Sequence, residues 1–214
     1  MRYLIVCGGK IDKEFGLNEI KTDGIDAIIA ADSGMDFLYE NGVTPDIIVG
    51  DFDSATTKSL EYFERKGQTE IHRLNPIKDD TDTEYAIRLA IREGARSIVL
   101  LGATGSRIDH VLGNISLLGI GLESGTDISI IDTNNRIRMA DKPVTIEKSA
   151  QYGRFVSLIA LTDDNEVSLK GFKYPVTDYS FDRFTSLGIS NEIVDDHALI
   201  DIHRGKFIII ESKD

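Results

Sequence analysis

The period of the hydrophobic pattern changes once along this chain, near Asn134-Asn135, and that change constrains the fold more than any single residue. From Tyr3 to about Asp132, short apolar, β-branched runs alternate with amphipathic stretches, the pattern of strand-helix units wound around a parallel sheet. The runs predict strands over 3–7, 27–31, 47–49, 70–74, 98–101 and 128–131. The stretches between them predict helices over 34–41, 56–66, 82–93 and 108–123. Three of these helices stop at or beside Gly42, Gly67 or Gly94, and glycine is the residue best able to take the left-handed terminal conformation. Beyond Asn135 the helical period is lost. Strand alternation takes over at 155–161, 166–169, 198–202 and 207–210, with turn signals at Asp163-Asp164-Asn165, Lys170-Gly171 and Arg204-Gly205. The expected fold is an α/β domain on a mostly parallel sheet, residues 1–133, followed by a smaller all-β sandwich domain, residues 134–214.

With 214 residues, 41% hydrophobic and 28% charged, the chain can bury a sizeable core. Its longest apolar runs, 98–103 and 207–210, are strand-sized and fall short of the roughly 18 to 20 residues of a membrane helix, so no membrane partner is expected. The opening apolar run passes into Gly8-Gly9-Lys10 too soon for a signal peptide's core, and the lone Cys7 supplies neither an intramolecular disulfide nor a zinc cluster. Both features point to the cytoplasm. The balance of 24 basic against 36 acidic residues, net charge −12, has the wrong sign for nucleic acid. It also repels small phosphates unless a divalent cation lies between, so a nucleotide substrate implies magnesium.

The segment Pro45-Asp46-Ile47-Ile48-Val49-Gly50-Asp51-Phe52-Asp53-Ser54 runs an apolar strand directly into an Asp-x-Asp pair. In extended backbone, side chains two apart point the same way, so Asp51 and Asp53 would offer two carboxylates to one ion while Phe52 faces the core. Ligands of open parallel sheets bind at such carboxyl ends. A solvated acidic turn accounts for the bare pair equally well.

A second acidic cluster, Lys78-Asp79-Asp80-Thr81-Asp82-Thr83-Glu84, opens a helix. Thr81 and Glu84 have capping-box spacing, and acids in a first turn complement the helix dipole. Capping does not require Asp79, Asp80 and Asp82 to crowd together as well, so an ionic partner is expected for some of them. In the third segment, Leu101-Gly102-Ala103-Thr104-Gly105-Ser106-Arg107-Ile108-Asp109-His110, glycines allow backbone amides to approach an anion and Arg107 can grip a phosphate through two parallel bonds. Asp109 would point back toward the metal. An ordinary strand-to-helix turn is the alternative.

Asp32-Ser33-Gly34 follows the second predicted strand and suits either the same crevice or a helix cap. The four histidines are scattered without ligand spacing and read as structural. There is no P-loop, no dinucleotide fingerprint and no nucleophile elbow, which disfavours covalent catalysis.

Taken together, Ala31-Asp32-Ser33-Gly34, the Pro45 to Ser54 segment, Lys78 to Asp82, Gly102 to His110 with Asn114, and Thr185-Ser186-Leu187-Gly188-Ile189-Ser190-Asn191-Glu192 resemble the thiamine pyrophosphokinase family. The resemblance implies an ATP- and magnesium-dependent diphosphotransferase that converts thiamine to thiamine diphosphate and releases AMP. It further implies a homodimer whose active sites lie between domains of opposing chains. By that likeness Asp51, Asp53 and Asp82 hold magnesium, with Asp109 beside them as a further catalytic acid and Asp82 and Asp109 as alternative acceptors of the hydroxyl proton. Asp32, Ser33, Gly34, Thr81, Gly102, Thr104, Gly105 and Arg107 form the ATP side, and Ser190 and Asn191 the thiamine pocket. Animal relatives place a tryptophan in that pocket. This chain has none, so stacking falls to Tyr179, Phe181 or Phe184, or gives way to aliphatic contact. The rival readings are a diphosphokinase for another alcohol, such as a hydroxymethylpterin, and a non-catalytic nucleotide or thiamine sensor.

Overall fold

The computed structural model describes residues 1–52, 57–75 and 80–214, and the chain divides into two compact units, Met1–Thr133 and Asn134–Asp214. In the first unit the elements run β1 (Arg2–Val6), α1 (Lys13–Ile20), β2 (Ala27–Ala31), α2 (Gly34–Glu40), β3 (Ile47–Gly50), α3 (Thr57–Lys66), β4 (Glu70–Arg73), α4 (Asp82–Arg92), β5 (Ser97–Leu101), α5 (Ile108–Leu117), α6 (Gly119–Ser124) and β6 (Asp127–Ile131). Its strands lie in the order β6-β5-β1-β2-β3-β4, and every neighbouring pair is parallel. The central strands β1 and β5 are buried along almost their whole length, as expected where helices cover both faces. The outer strand β4, Glu-Ile-His-Arg, carries charge at both ends, a composition that discourages further pairing at an edge. Met35 and Leu38 of α2, Leu60 and Phe63 of α3, and Leu4, Val6, Ile48, Val99 and Leu101 of the sheet share one buried cluster.

The chain winds outward through β1, β2, β3 and β4, then crosses back so that β5 lies on the other side of β1. The winding direction therefore reverses between β1 and β5, and a crevice opens at the carboxyl ends of strands at such a point. Helix α4 makes the return crossing and packs over β1, β2 and β3 with Ala86, Ile87, Leu89 and Ala90 buried. That crossing places the start of α4 above the ends of strands far from it in sequence.

The second unit comprises β7 (Asn135–Ala140), β8 (Val144–Glu147), a short 3-10 turn (Lys148–Ala150), β9 (Phe155–Ala160), β10 (Glu166–Lys170), β11 (Val176–Tyr179), β12 (Asn191–Glu192), β13 (His197–Arg204) and β14 (Phe207–Ser212). They form antiparallel ladders β12-β9-β14-β7 and β11-β10-β13-β8. Val156, Leu158, Phe207 and Ile209 of one ladder share a core with Val167, Leu169, Ala198, Ile200 and Ile202 of the other, so the unit is a sandwich. Glu211 is fully buried in it, and its carboxylate accepts bonds from Arg136, Arg138 and the Tyr152 backbone N–H.

The expected elements are present with three corrections. The single helix expected over 108–123 is two, α5 and α6, hinged at Leu118, because Gly119 and Gly121 weaken helical continuity and Gly121 lies against the Thr126 carbonyl. Helix α1 was not anticipated. It is short, buries only Gly16 and starts from an Asp12 cap whose Oδ1 accepts the Phe15 N–H at 2.9 Å, which leaves little periodic signal. The extended backbone expected through Asp51 and Phe52 is not formed: β3 ends at Gly50 and Phe52 adopts a left-handed φ of 63°.

Candidate active site

Three acids from three elements meet above the sheet. Asp32 follows β2, Asp51 follows β3 and Asp82 opens α4, and one carboxylate oxygen from each lies within 4.8 Å of the other two. All three are half-buried. Two oxygens on opposite sides of a magnesium ion stand about 4.2 Å apart, so at most a fraction of an ångström of side-chain movement brings this set onto one hard cation. Asp53, expected as the partner of Asp51, lies outside the described residues, as do Lys78 and Asp79. The alternation argument that paired Asp51 with Asp53 does not hold at Phe52, whose ring packs on the core cluster and beneath Arg73, 5.3 Å from ring centroid to guanidinium carbon. Asp32 was expected on the nucleotide side of the crevice and stands instead among the acids. Its backbone is left-handed, φ 49°, so both Asp32 and Phe52 hold conformations that cost L-residues energy, beside the acidic cluster.

Two glycine-rich turns meet at the reversal point between β1 and β5. The Gly9 N–H donates to the Gly102 carbonyl at 2.8 Å, and a Cβ on Gly9 would stand 2.3 Å from that oxygen and 2.5 Å from the Thr104 oxygen. Gly102 itself has φ 71°, where only glycine is unstrained. Sequence reasoning noted Gly8-Gly9 only as the point where the opening apolar run stops. The available signal was a glycine pair directly after a buried strand. The second turn is anchored at both sides: Thr104 Oγ1 donates to Asp132 Oδ2 at 2.9 Å, and Asn114 Nδ2 donates to the Ala103 carbonyl at 2.7 Å.

Arg107 is the cap residue of α5 and makes no side-chain cap bond there. Its guanidinium donates to Asp109 from Nη2 at 2.7 Å and from Nε at 3.3 Å. That guanidinium, aided by the His110 backbone N–H, holds the exposed Asp109 carboxyl down to about 2. Asp109 is thus tied to Arg107 and does not join the three-acid group. Thr81 caps α4, its hydroxyl accepting the Glu84 N–H at 3.2 Å, while the Glu84 carboxylate turns to Arg88 at 2.7 Å. The expected capping box is therefore half used. Ser33 begins α2 without a side-chain cap bond, and Gly34 lies where a Cβ would be 2.0 Å from the Val6 carbonyl. Cys7, at the base of the first glycine turn, accepts a weak bond from Thr83, and burial pushes its thiol up to about 11.

In the second unit, Ser190 is exposed with a left-handed φ of 59°, and its N–H donates to Ser157 Oγ at 2.9 Å. Asn191 is buried. Its amide clasps Tyr174, accepting that residue's N–H at 3.0 Å and donating to its carbonyl at 2.9 Å, which gives it a structural duty. Of the three aromatics expected to stack on a ligand, Phe181 belongs to the sandwich core, edge-on to Phe207 and Tyr179, with its backbone held by the buried Asn165 amide. Phe184 is 94% exposed and Tyr179 is 38% exposed, so those two rings are available.

Residues 21–130 match the sequence model of the thiamin pyrophosphokinase catalytic domain, and residues 143–207 that of the thiamin pyrophosphokinase vitamin B1 binding domain. Thiamine pyrophosphokinase of Bacillus subtilis is 35% identical over 188 residues, 87% of each chain. The chain belongs to the thiamine pyrophosphokinase family. The fold agrees: the crystal structure of the Bacillus subtilis thiamine pyrophosphokinase superposes over the full length of both chains with a TM-score of 0.89 at 32% identity. That of the Geobacillus thermodenitrificans thiamin pyrophosphokinase covers 100% of this chain and 98% of its own, with a TM-score of 0.87 at 29% identity. The acidic cluster and the Gly102 turn lie within the segment matched by the catalytic-domain model, and the Gly8-Gly9 turn precedes it.

Proposed function

We infer that this chain is a thiamine diphosphokinase, transferring the diphosphate of ATP to the hydroxyl of thiamine to give thiamine diphosphate and AMP. The observation that carries the reading is the convergence of Asp32, Asp51 and Asp82 above the ends of parallel strands, in a chain of this family. Without a cation, three clustered negative groups would repel a triphosphate. With a cation between, the same groups hold the polyphosphate.

The all-oxygen, all-carboxylate donor set fits magnesium, held by Asp32, Asp51 and Asp82, with Asp53 proposed as a further ligand. Bound there, magnesium would offset the phosphate charge that repels the incoming hydroxyl and the charge that develops on departing AMP. The protein's own groups supply the rest. The turn from Gly102 to Arg107, at the reversal point of the sheet, presents backbone donors and the start of α5 to the phosphates, and Arg107 adds a forked guanidinium. Ser33, Gly34 and Thr81 line the same ends of β2 and α4 and complete the nucleotide side. Asp109, held strongly acidic by Arg107, is a weak base at neutral pH. That suits it to orienting Arg107 better than to taking the hydroxyl proton. Thiamine contact is assigned to the second unit, with exposed Ser190 as the direct partner and Asn191 fixing the backbone beside it. The thiazolium is a permanent cation, which a chain of net charge −12 attracts. Homodimerisation and a cytoplasmic setting, which suits the single buried thiol of Cys7, complete the proposal.

Product analysis tests it. Purified protein given magnesium, ATP and thiamine is expected to form AMP and thiamine diphosphate in equal amounts. ADP with thiamine monophosphate, or AMP formed with a hydroxymethylpterin and not with thiamine, would contradict it.

A further inference from the structure

Asp132 stands at the end of β6, next to β5 in the sheet, far in sequence from every motif that marks the site. Its Oδ2 accepts the hydroxyl of Thr104 at 2.9 Å, and Thr104 sits at the centre of the turn that follows β5. On the other side of Thr104, the Asn114 side chain reaches back from α5 to the Ala103 carbonyl at 2.7 Å. From below, Gly9 presses on the carbonyls of Gly102 and Thr104, closely enough that no side chain fits there. The turn is therefore held by three groups: Gly9 after β1, Asn114 on α5 and Asp132 after β6.

A carboxylate near a phosphate site needs a reason, because it repels the ligand. Serving as a fixed acceptor for a hydroxyl is such a reason: the bond leaves the charge partly satisfied and orients the residue it grips. Glycine-rich backbone loses much conformational entropy when ordered, so a turn fixed before the ligand arrives binds that ligand more tightly than one that must be ordered by it. We propose that Asp132 is a positioning residue, which shapes the phosphate-holding turn through the Thr104 hydroxyl, with Asn114 as the second anchor. The proposal rests on the reading of Gly102 to Arg107 as the turn that holds the ATP phosphates.

Steady-state kinetics on the full-length protein, with ATP and thiamine varied separately, test it. Thr104→Val and Asp132→Ala are each expected to lower kcat/KM for ATP about tenfold while leaving the KM for thiamine unchanged, the scale of a lost hydrogen bond to a charged group. The double variant should be no worse than either single one, since both break the same contact. Thr104→Ser keeps the donor and Asp132→Asn keeps a neutral acceptor, so each should lose less kcat/KM for ATP than Thr104→Val and Asp132→Ala respectively. Losses that multiply in the double variant, an Asp132→Asn enzyme as impaired as Asp132→Ala, or an equal rise in the KM for thiamine would overturn the role. Arg107→Met, run in parallel, separates the two levels. If it impairs ATP use while Asp132→Ala does not, only the positioning role fails. If it leaves ATP use unchanged, the reading of the turn fails and takes the proposal with it. If Asp132→Ala melts early, Thr104→Val, which preserves the shape of the side chain, carries the test alone.

Discussion

Arg107 and Asp109 form an exposed pair whose geometry sets a measurable property. The guanidinium holds the Asp109 carboxyl at about 2, below the ordinary aspartate range. A depressed carboxyl stabilises the fold above its ordinary pKa, and that contribution fades as the pH falls from about 4 to about 2. Because both side chains face water, the effect on stability is small, and the titration itself is the better readout. Carboxyl-carbon NMR is expected to give Asp109 a midpoint near 2, rising toward the usual aspartate value in Arg107→Met. An unshifted midpoint in the native protein would mean that the pair does not form. At this scale the sequence revealed residue types and missed geometry. Asp51 and Asp82 were legible because acids follow a strand and open a helix. Asp32 was assigned to the nucleotide because nothing in Ala-Asp-Ser-Gly reports the left-handed turn that places it beside them. Asp132 carried no local signal, since its partner lies 28 residues away.

Thr81 shows how an element delivers a site residue. Its hydroxyl closes the first turn of α4 at the Glu84 N–H, and the next residue, Asp82, is a member of the acidic cluster. Thr81→Ala is expected to cost about 1 kcal/mol in chemical denaturation, as for other lost caps, and to weaken turnover as the first helical turn loosens. A variant with wild-type stability and turnover would show that the cap does not position Asp82. Helices such as α4 were legible because amphipathic period, cap and terminal glycine agree. Helix α1, with one buried residue, and the break between α5 and α6 were not, since both depend on contacts made by Gly16 and Gly121 rather than on period. The inward position of Phe181 was equally hidden. It is set by Asn165, whose amide bonds both the N–H and the carbonyl of Phe181, at 2.8 and 2.9 Å.

At the scale of the molecule, the change of hydrophobic period near Asn134 coincides with the division into two compact units at Thr133 and Asn134, because the first unit packs helices on its parallel sheet whereas the second packs two antiparallel ladders against each other. What the pattern cannot show is strand order, and the crevice exists because β5 crosses back beside β1. The proposed homodimer is expected to scatter light with twice the 23.7 kDa chain mass at micromolar concentration with substrates present, and a monomeric mass would reject that part of the proposal. The central claim is that acids distant in sequence act together on one magnesium-bound polyphosphate. Its most direct test is AMP release from ATP and thiamine as magnesium is varied, in wild-type protein and in Asp32→Asn, Asp51→Asn and Asp82→Asn. Turnover should require magnesium and fall on the order of 10²-fold in each variant, the scale of losing one electrostatic stabiliser. Wild-type turnover retained in any of the three, or AMP release independent of a divalent cation, would contradict the account.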